Sequence, residues 1–341
     1  MFAAVPAALD APLTGDLRRT RDDARSLADA GLAGAFTFEG KTDPFLPVAV
    51  AADDFDGLLY TNIAVAFPRS PMHTALQAWD LQRQTGGRFA LGLGTQIKAH
   101  IERRYGSVWE QPLAQMRESI AATKAIFASW QDGTPLAFEG RWTQHTLMPP
   151  LLTPDPLASD PPPIWLAALG PKMTALAGEV ADGLLIHPFT SRRHVSETNL
   201  PNLDAGLARA GRARADVTVV VGVIVGLYET DEEADRAHAA VRGMLGFYGS
   251  TPAYRPVLDA HGWGDLQPEL RALTKANRWG ELGAVYTDEQ VDTIAVVGTP
   301  QRVAAELHAR FGDLADRLAL SLPGPGSAEL LADLVEAYEA I

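Results

Sequence analysis

Gly170-Pro171-Lys172 follows an apolar run and opens a segment of helical period. Free backbone N–H groups at such a helix start can receive a phosphate, with Lys172 and Arg192 or Arg193 supplying charge. The same residues also fit an ordinary strand-to-helix turn. Glu39 ends a second apolar run, where a carboxylate can handle a proton or simply pair with a nearby base. Thr95 follows Leu91-Gly92-Leu93-Gly94 and could offer a hydroxyl to a ligand; the glycines could equally serve close strand packing. His187 ends another run and is a candidate proton-handling residue, as are His73 and Tyr105 nearer the chain start. The remaining histidines are scattered rather than set at metal-ligand spacing. No nucleophile elbow, Walker loop or dinucleotide fingerprint occurs. With no cysteine among 341 residues, disulfides, thiolate nucleophiles and cysteine-ligated metals are excluded.

These candidates share a position, because each lies just after a short apolar run and before a helical segment. Strands are expected at Phe2–Pro6, Gly34–Phe38, Leu58–Ala66, Phe89–Leu93, Ile164–Ala168, Gly183–His187, Val217–Leu227 and Arg317–Leu322. Near-continuous apolar strands alternating with helices suit a parallel sheet buried on both faces. Eight such repeats favour a (β/α)8 TIM barrel with insertions over an open doubly wound sheet. A barrel collects its post-strand loops at one mouth, which is where the candidates fall. The whole chain, 1–341, reads as one domain, with insertions near 137–158 and 250–292. The latter carries Tyr254, Trp263 and Trp279, which could close over the substrate or simply pack a long excursion.

Hydrophobic residues make up 47% of the chain and charged ones 21%, the balance of a chain with a large core. A net charge of −13 argues against nucleic acid or anionic membrane as a partner. The N-terminus lacks a basic leader, and no apolar run reaches bilayer length, so a cytoplasmic location is expected.

Three stretches resemble the luciferase-like monooxygenase superfamily. They are Asn62-Ile63-Ala64-Val65-Ala66-Phe67-Pro68-Arg69-Ser70-Pro71, Trp79-Asp80-Leu81-Gln82-Arg83 and Gly86-Gly87-Arg88-Phe89-Ala90-Leu91-Gly92-Leu93-Gly94. Thr95-Gln96-Ile97-Lys98 and its continuation to Arg104 are similar to a branch that uses the deazaflavin cofactor F420, and Gly170-Pro171-Lys172-Met173 and Val297-Gly298-Thr299-Pro300 extend the likeness. The resemblance implies a homodimeric luciferase-like barrel with a cis peptide at Asn62–Ile63. It implies ring or ribityl contacts from Glu39, Asn62, Ile63 and Thr95. Phosphate contacts would come from Leu169, Gly170 and Lys172, flanked by Phe189 and Ser191, while Lys41, Arg69, Lys98, Arg103 and Arg104 could receive the polyanionic F420 tail. Glu39 is followed by Gly40, and Gln96-Ile97 replace a glycine and an acid, so the proton-transfer pair of F420-dependent sugar-phosphate dehydrogenases is missing.

The implied activity is hydride transfer between F420 and a small organic substrate, with Glu39 and His187 as catalytic candidates. The alternatives are an FMN-dependent two-component monooxygenase and a non-catalytic flavin-binding paralogue.

Overall fold

The computed structural model describes residues 6–324 and 327–341. Its strands are β1 (Ala8–Pro12), β2 (Gly34–Thr37), β3 (Leu58–Thr61), β4 (Ala64–Val65), β5 (Phe89–Gly94), β6 (Phe138–Glu139), β7 (Gln144–His145), β8 (Ile164–Ala168), β9 (Gly183–Ile186), β10 (Thr218–Leu227), β11 (Ala295–Gly298) and β12 (Arg317–Ser321). Among the described residues, eight of these form a closed parallel barrel in the order β1-β2-β3-β5-β8-β9-β10-β12, with β12 returning to β1. Helices cover its outside, burying Trp79, Phe127 and Trp130 as one aromatic cluster.

Two differences from the expected strands have local causes. The strand expected at Phe2–Pro6 falls largely outside the described residues; the first described strand is Ala8–Pro12, where buried Asp10 interrupts the apolar run. The short Ala295–Gly298 run was not expected as a strand. It pairs with the last four residues of β10, whose first half already joins β9 and β12. Strand β10 therefore serves both the barrel and a satellite layer.

Asp10 explains how the barrel closes. Its carboxylate receives two bonds from Arg317, at 2.8 and 2.6 Å, and one from the Tyr60 hydroxyl at 2.9 Å. Gly34 leaves space for this pair, since a Cβ there would lie 2.4 Å from Asp10 Oδ1. Around Tyr60 the interior is filled by Phe36, Ala90, Trp165, Leu185, Val220 and Ala319, one from each of six other strands. Burial pushes the Asp10 carboxyl up, and the Arg317 and Tyr60 bonds pull it back.

The segment 137–158 contains the β6–β7 hairpin and a short 3-10 turn. The segment 250–292 folds into short helices on the 231–249 helix, with a core of their own around Val257, Leu258, Leu270, Leu282 and Tyr286. Among the described residues, no helix is long and apolar enough to cross a membrane.

Removing one member of a buried ion pair strands the other charge in a low-dielectric interior. Arg317→Met is expected to lower unfolding free energy by about 3–5 kcal/mol, read from urea melts. A loss below about 1 kcal/mol, the scale of an exposed pair, would show that Asp10 does not depend on Arg317.

Candidate active site

The mouth is shaped first by a break in one strand. Register along β5 slips by one residue between β3, where Tyr60 faces Ala90, and β4, where Ala64 faces Leu93. The extra residue makes a bulge at 61–63, and the Asn62–Ile63 peptide within it is cis. Glycines on β5 admit the bulge. A Cβ on Gly92 would lie 1.7 Å from the Thr61 carbonyl, and one on Gly94 would lie 2.8 Å from the Ile63 side chain. Thr61 Oγ1 donates to Gly92 O at 2.7 Å and accepts from Gly92 N at 2.9 Å, so the two backbones are stitched by one hydroxyl. Of the two uses open to these glycines, close packing is the one the geometry shows.

Glu39 completes the bulge. Its Oε2 accepts from Val65 N at 2.7 Å and from Arg69 Nη1 at 2.5 Å, and Arg69 also reaches Val65 O and Asp43. The carboxylate is thus held as an anchor between β2 and the residues after β4. Tyr105 stands close to it; burial first, then hydrogen bonding with Glu39 and its charge, pushes the hydroxyl up against the opposing pull of Arg104 and Arg69. Thr95 is half-buried and donates to the adjacent Gln96 carbonyl at 3.0 Å.

At the end of β8, Leu169 and Gly170 lead into the helix Pro171–Val180. Pro171 has no N–H, and those of Met173 and Thr174 turn back to Gly170 O. The Lys172 N–H is left without a backbone acceptor among the described residues, and the Lys172 side chain is exposed beside it. A Cβ on Gly170 would meet nothing within 4 Å, so the space above this turn is open. Arg192 and Arg193 do not add charge here. Arg192 pairs with Asp313 at 2.6 and 2.8 Å, and Arg193 pairs with Glu197. Ser191 caps the following turn and bonds His261 at 2.8 Å, and Phe189 is buried against the satellite core.

His187, just past β9, carries a tautomer fixed by geometry. Its Nδ1 accepts from Phe189 N at 3.0 Å, so the ring proton belongs on Nε2, which donates to Tyr254 Oη 3.1 Å away. Burial between Tyr248 and Tyr254 lowers the imidazole to about 3, keeping it neutral at physiological pH. Burial also pushes the Tyr254 hydroxyl up, so that hydroxyl keeps its hydrogen while accepting from His187. Sequence reasoning grouped Tyr254 with Trp263 and Trp279 as lid residues. Tyr254 alone of the three meets His187, while Trp263 stacks on His261 and Trp279 is half exposed.

A cavity of about 680 Å³ opens beside β1 and β2, lined by Leu13, Thr37, Phe38, Lys41 and Arg104 among others. Arg104 also donates to Gly40 O and lies over the Tyr105 ring, while Lys98 pairs loosely with Glu102. Lys41 and Arg104 are therefore the basic residues that line the cavity; Arg69 is committed to Glu39.

Residues 1–317 match the luciferase-like monooxygenase family. The chain belongs to that family. An uncharacterised protein of Mycobacterium tuberculosis is 46% identical over 311 residues, covering 91% of this chain and 92% of the relative. The 5,10-methylenetetrahydromethanopterin reductase of Archaeoglobus fulgidus is 31% identical over 247 residues, or 70% of this chain and 69% of that one. The fold matches the coenzyme F420-dependent tetrahydromethanopterin reductase of Methanopyrus kandleri with a TM-score of 0.80 at 18% identity, over 97% of both chains. This family's barrel is the one seen here, and membership marks the chain as an oxidoreductase of the luciferase-like kind.

Two consequences are measurable. Gly92→Ala must displace Thr61 and should cost about 3 kcal/mol, the upper range for overpacking. Gly170→Ala should stay within about 0.5 kcal/mol, and equal losses in thermal melts would contradict the bulge argument. For His187, the unfolded ring takes up a proton near 6.5 while the folded ring stays neutral down to about 3. Its stabilising contribution is therefore whole above 6.5 and falls as pH drops through that window. His187→Gln should flatten the decline of Tm between pH 6.5 and 3.5; an unchanged slope would place the acid sensitivity elsewhere.

Proposed function

We propose that this protein is a cytoplasmic, homodimeric F420-dependent oxidoreductase that moves a hydride between the deazaflavin and a small organic substrate. The observation that carries the reading is the mouth itself, where a bulge-borne apolar side chain, an open glycine turn and a basic-edged cavity all lie at the carboxyl ends of one family barrel's strands. A deazaflavin needs an apolar shelf against one ring face, donors for its phosphate and cations for its tail. Ile63, seated over Gly94, suits the shelf. The open turn at Leu169–Gly170, with the Lys172 N–H and ammonium, suits the phosphate. Lys41 and Arg104 suit the tail, in a cavity of about 680 Å³.

When bound, the cofactor accepts or delivers the hydride. The chain's own part is placement. Asn62 and Ile63 are fixed by Thr61, Gly92 and Glu39, so the shelf does not yield when a ring presses on it. Glu39 acts through Arg69 and Val65, as a positioning residue. His187 likewise orients Tyr254, whose remaining hydroxyl hydrogen is offered to a substrate oxygen in the mouth. Thr95, Phe189 and Ser191 complete the proposed rim.

Titrating purified protein with F420 and separately with FMN, while following cofactor fluorescence, tests the assignment. Saturable quenching of F420 is expected, with Lys172→Ala weakening it by about tenfold, the scale of 1.4 kcal/mol for one charge-assisted contact. Tight FMN binding with none for F420 would favour the two-component monooxygenase instead.

A further inference from the structure

The His187–Tyr254 pair also lines a second, much smaller cavity, together with Ala168, Leu169, Ile186, Phe189, Ala253 and Val257. Beyond His187 and Tyr254, three further polar side chains line it: Thr190, His194 and Asn199. Each is nearly sealed from solvent, at 3%, 4% and 2% exposure. In each, one buried atom has no hydrogen-bond partner: Thr190 Oγ1, His194 Nδ1 and Asn199 Oδ1. Buried polar groups are almost always paired, by protein or by ordered water. Three orphans around one hole point to an occupant.

The local chain explains their convergence. Residues Val195–Asn199 form a π-helical turn, in which bonding runs from i to i+5. That spacing carries His194 and Asn199 toward the same side, where an α-helix would part them. Thr190 reaches the same space from the loop after β9.

The donor set defines the guest. His194 is held neutral, by burial first and then by the charge of His261, and Asn199 Oδ1 can only accept. A hydroxyl can give or take. No carboxylate lines the cavity to hold a cation, and an anion would face the Asn199 oxygen. The space open to the centre of a water molecule is about 10 Å³, room for a single water.

We infer that this cavity is a binding site for one tightly held water molecule, which donates to His194 Nδ1 and Asn199 Oδ1 and accepts from the Thr190 hydroxyl. The water ties the loop after β9 to the 192–210 helix. That loop contains Phe189, whose N–H fixes the His187 tautomer, so the water supports the position of Tyr254. The inference is independent of which cofactor the mouth holds.

A crystal structure of the full chain at about 1.8 Å is expected to show one water within hydrogen-bond reach of all three atoms. An empty cavity, or density too large for water, would overturn the site. Melting of apolar variants gives a second reading that turns on sign. If water joins the three groups, Thr190→Val and Asn199→Leu each lower Tm by about 1–3 °C. The double variant then loses less than the two shifts added, because both share one water. If the cavity is dry, removing an orphan relieves an unpaired group, so Thr190→Val raises Tm; that result, or full additivity, would refute the shared water.

Discussion

Closing a parallel sheet on itself requires the first strand to meet the last, and here the seam is held from inside the barrel. Asp10 and Arg317 are 307 positions apart in sequence and joined by two hydrogen bonds. Their charges sit within an apolar filling of Phe36, Tyr60 and Trp165, where neither could remain without the other. With closure set there, the carboxyl ends of all eight strands converge, and every feature of the mouth inherits its position from that ring.

The mouth shows polar groups spent on geometry. Glu39 looks available for proton transfer when read along the chain, yet its carboxylate neutralises Arg69 and satisfies the Val65 N–H that the bulge releases. His187 looks like an acid or base, yet a backbone N–H takes its Nδ1 lone pair and burial holds it neutral. Both side chains are rigid supports. What they hold differs: Glu39 holds Arg69 and the Val65 N–H, and His187 bonds a tyrosine delivered by a segment 67 positions further on.

That segment is built as a satellite with its own core, joined to the barrel through β10 and β11. Its core is shared with Phe189 and with Ile224 of β10, so the segment is packed onto the barrel wall. It meets the mouth through Tyr254, which touches His187 and Phe189, and through His261, which bonds Ser191. Trp279, by contrast, bonds Asn277 away from that contact and stays half exposed.

Much of this was legible in the residues alone. Apolar runs alternating with helical segments determined the barrel, because strands buried on both faces must be apolar throughout. The Gly92 and Gly94 spacing marked one edge of the mouth, where only glycine allows so close an approach, and the Gly170-Pro171-Lys172 turn marked another as a helix start. Strand β1 was obscured by Asp10, as a buried charge reads as a surface residue until its partner is known. Strand β11 was too short to stand out from the loop around it. The tertiary structure alone decided which carboxylate was free, which histidine was charged and which aromatic reached the site. Ionisation and hydrogen-bond partnership depend on neighbours brought together across the chain: Glu39 with Arg69, His187 with Tyr254, Asp10 with Arg317. Residue type states what a group can do; only its packed surroundings determine what it is left to do.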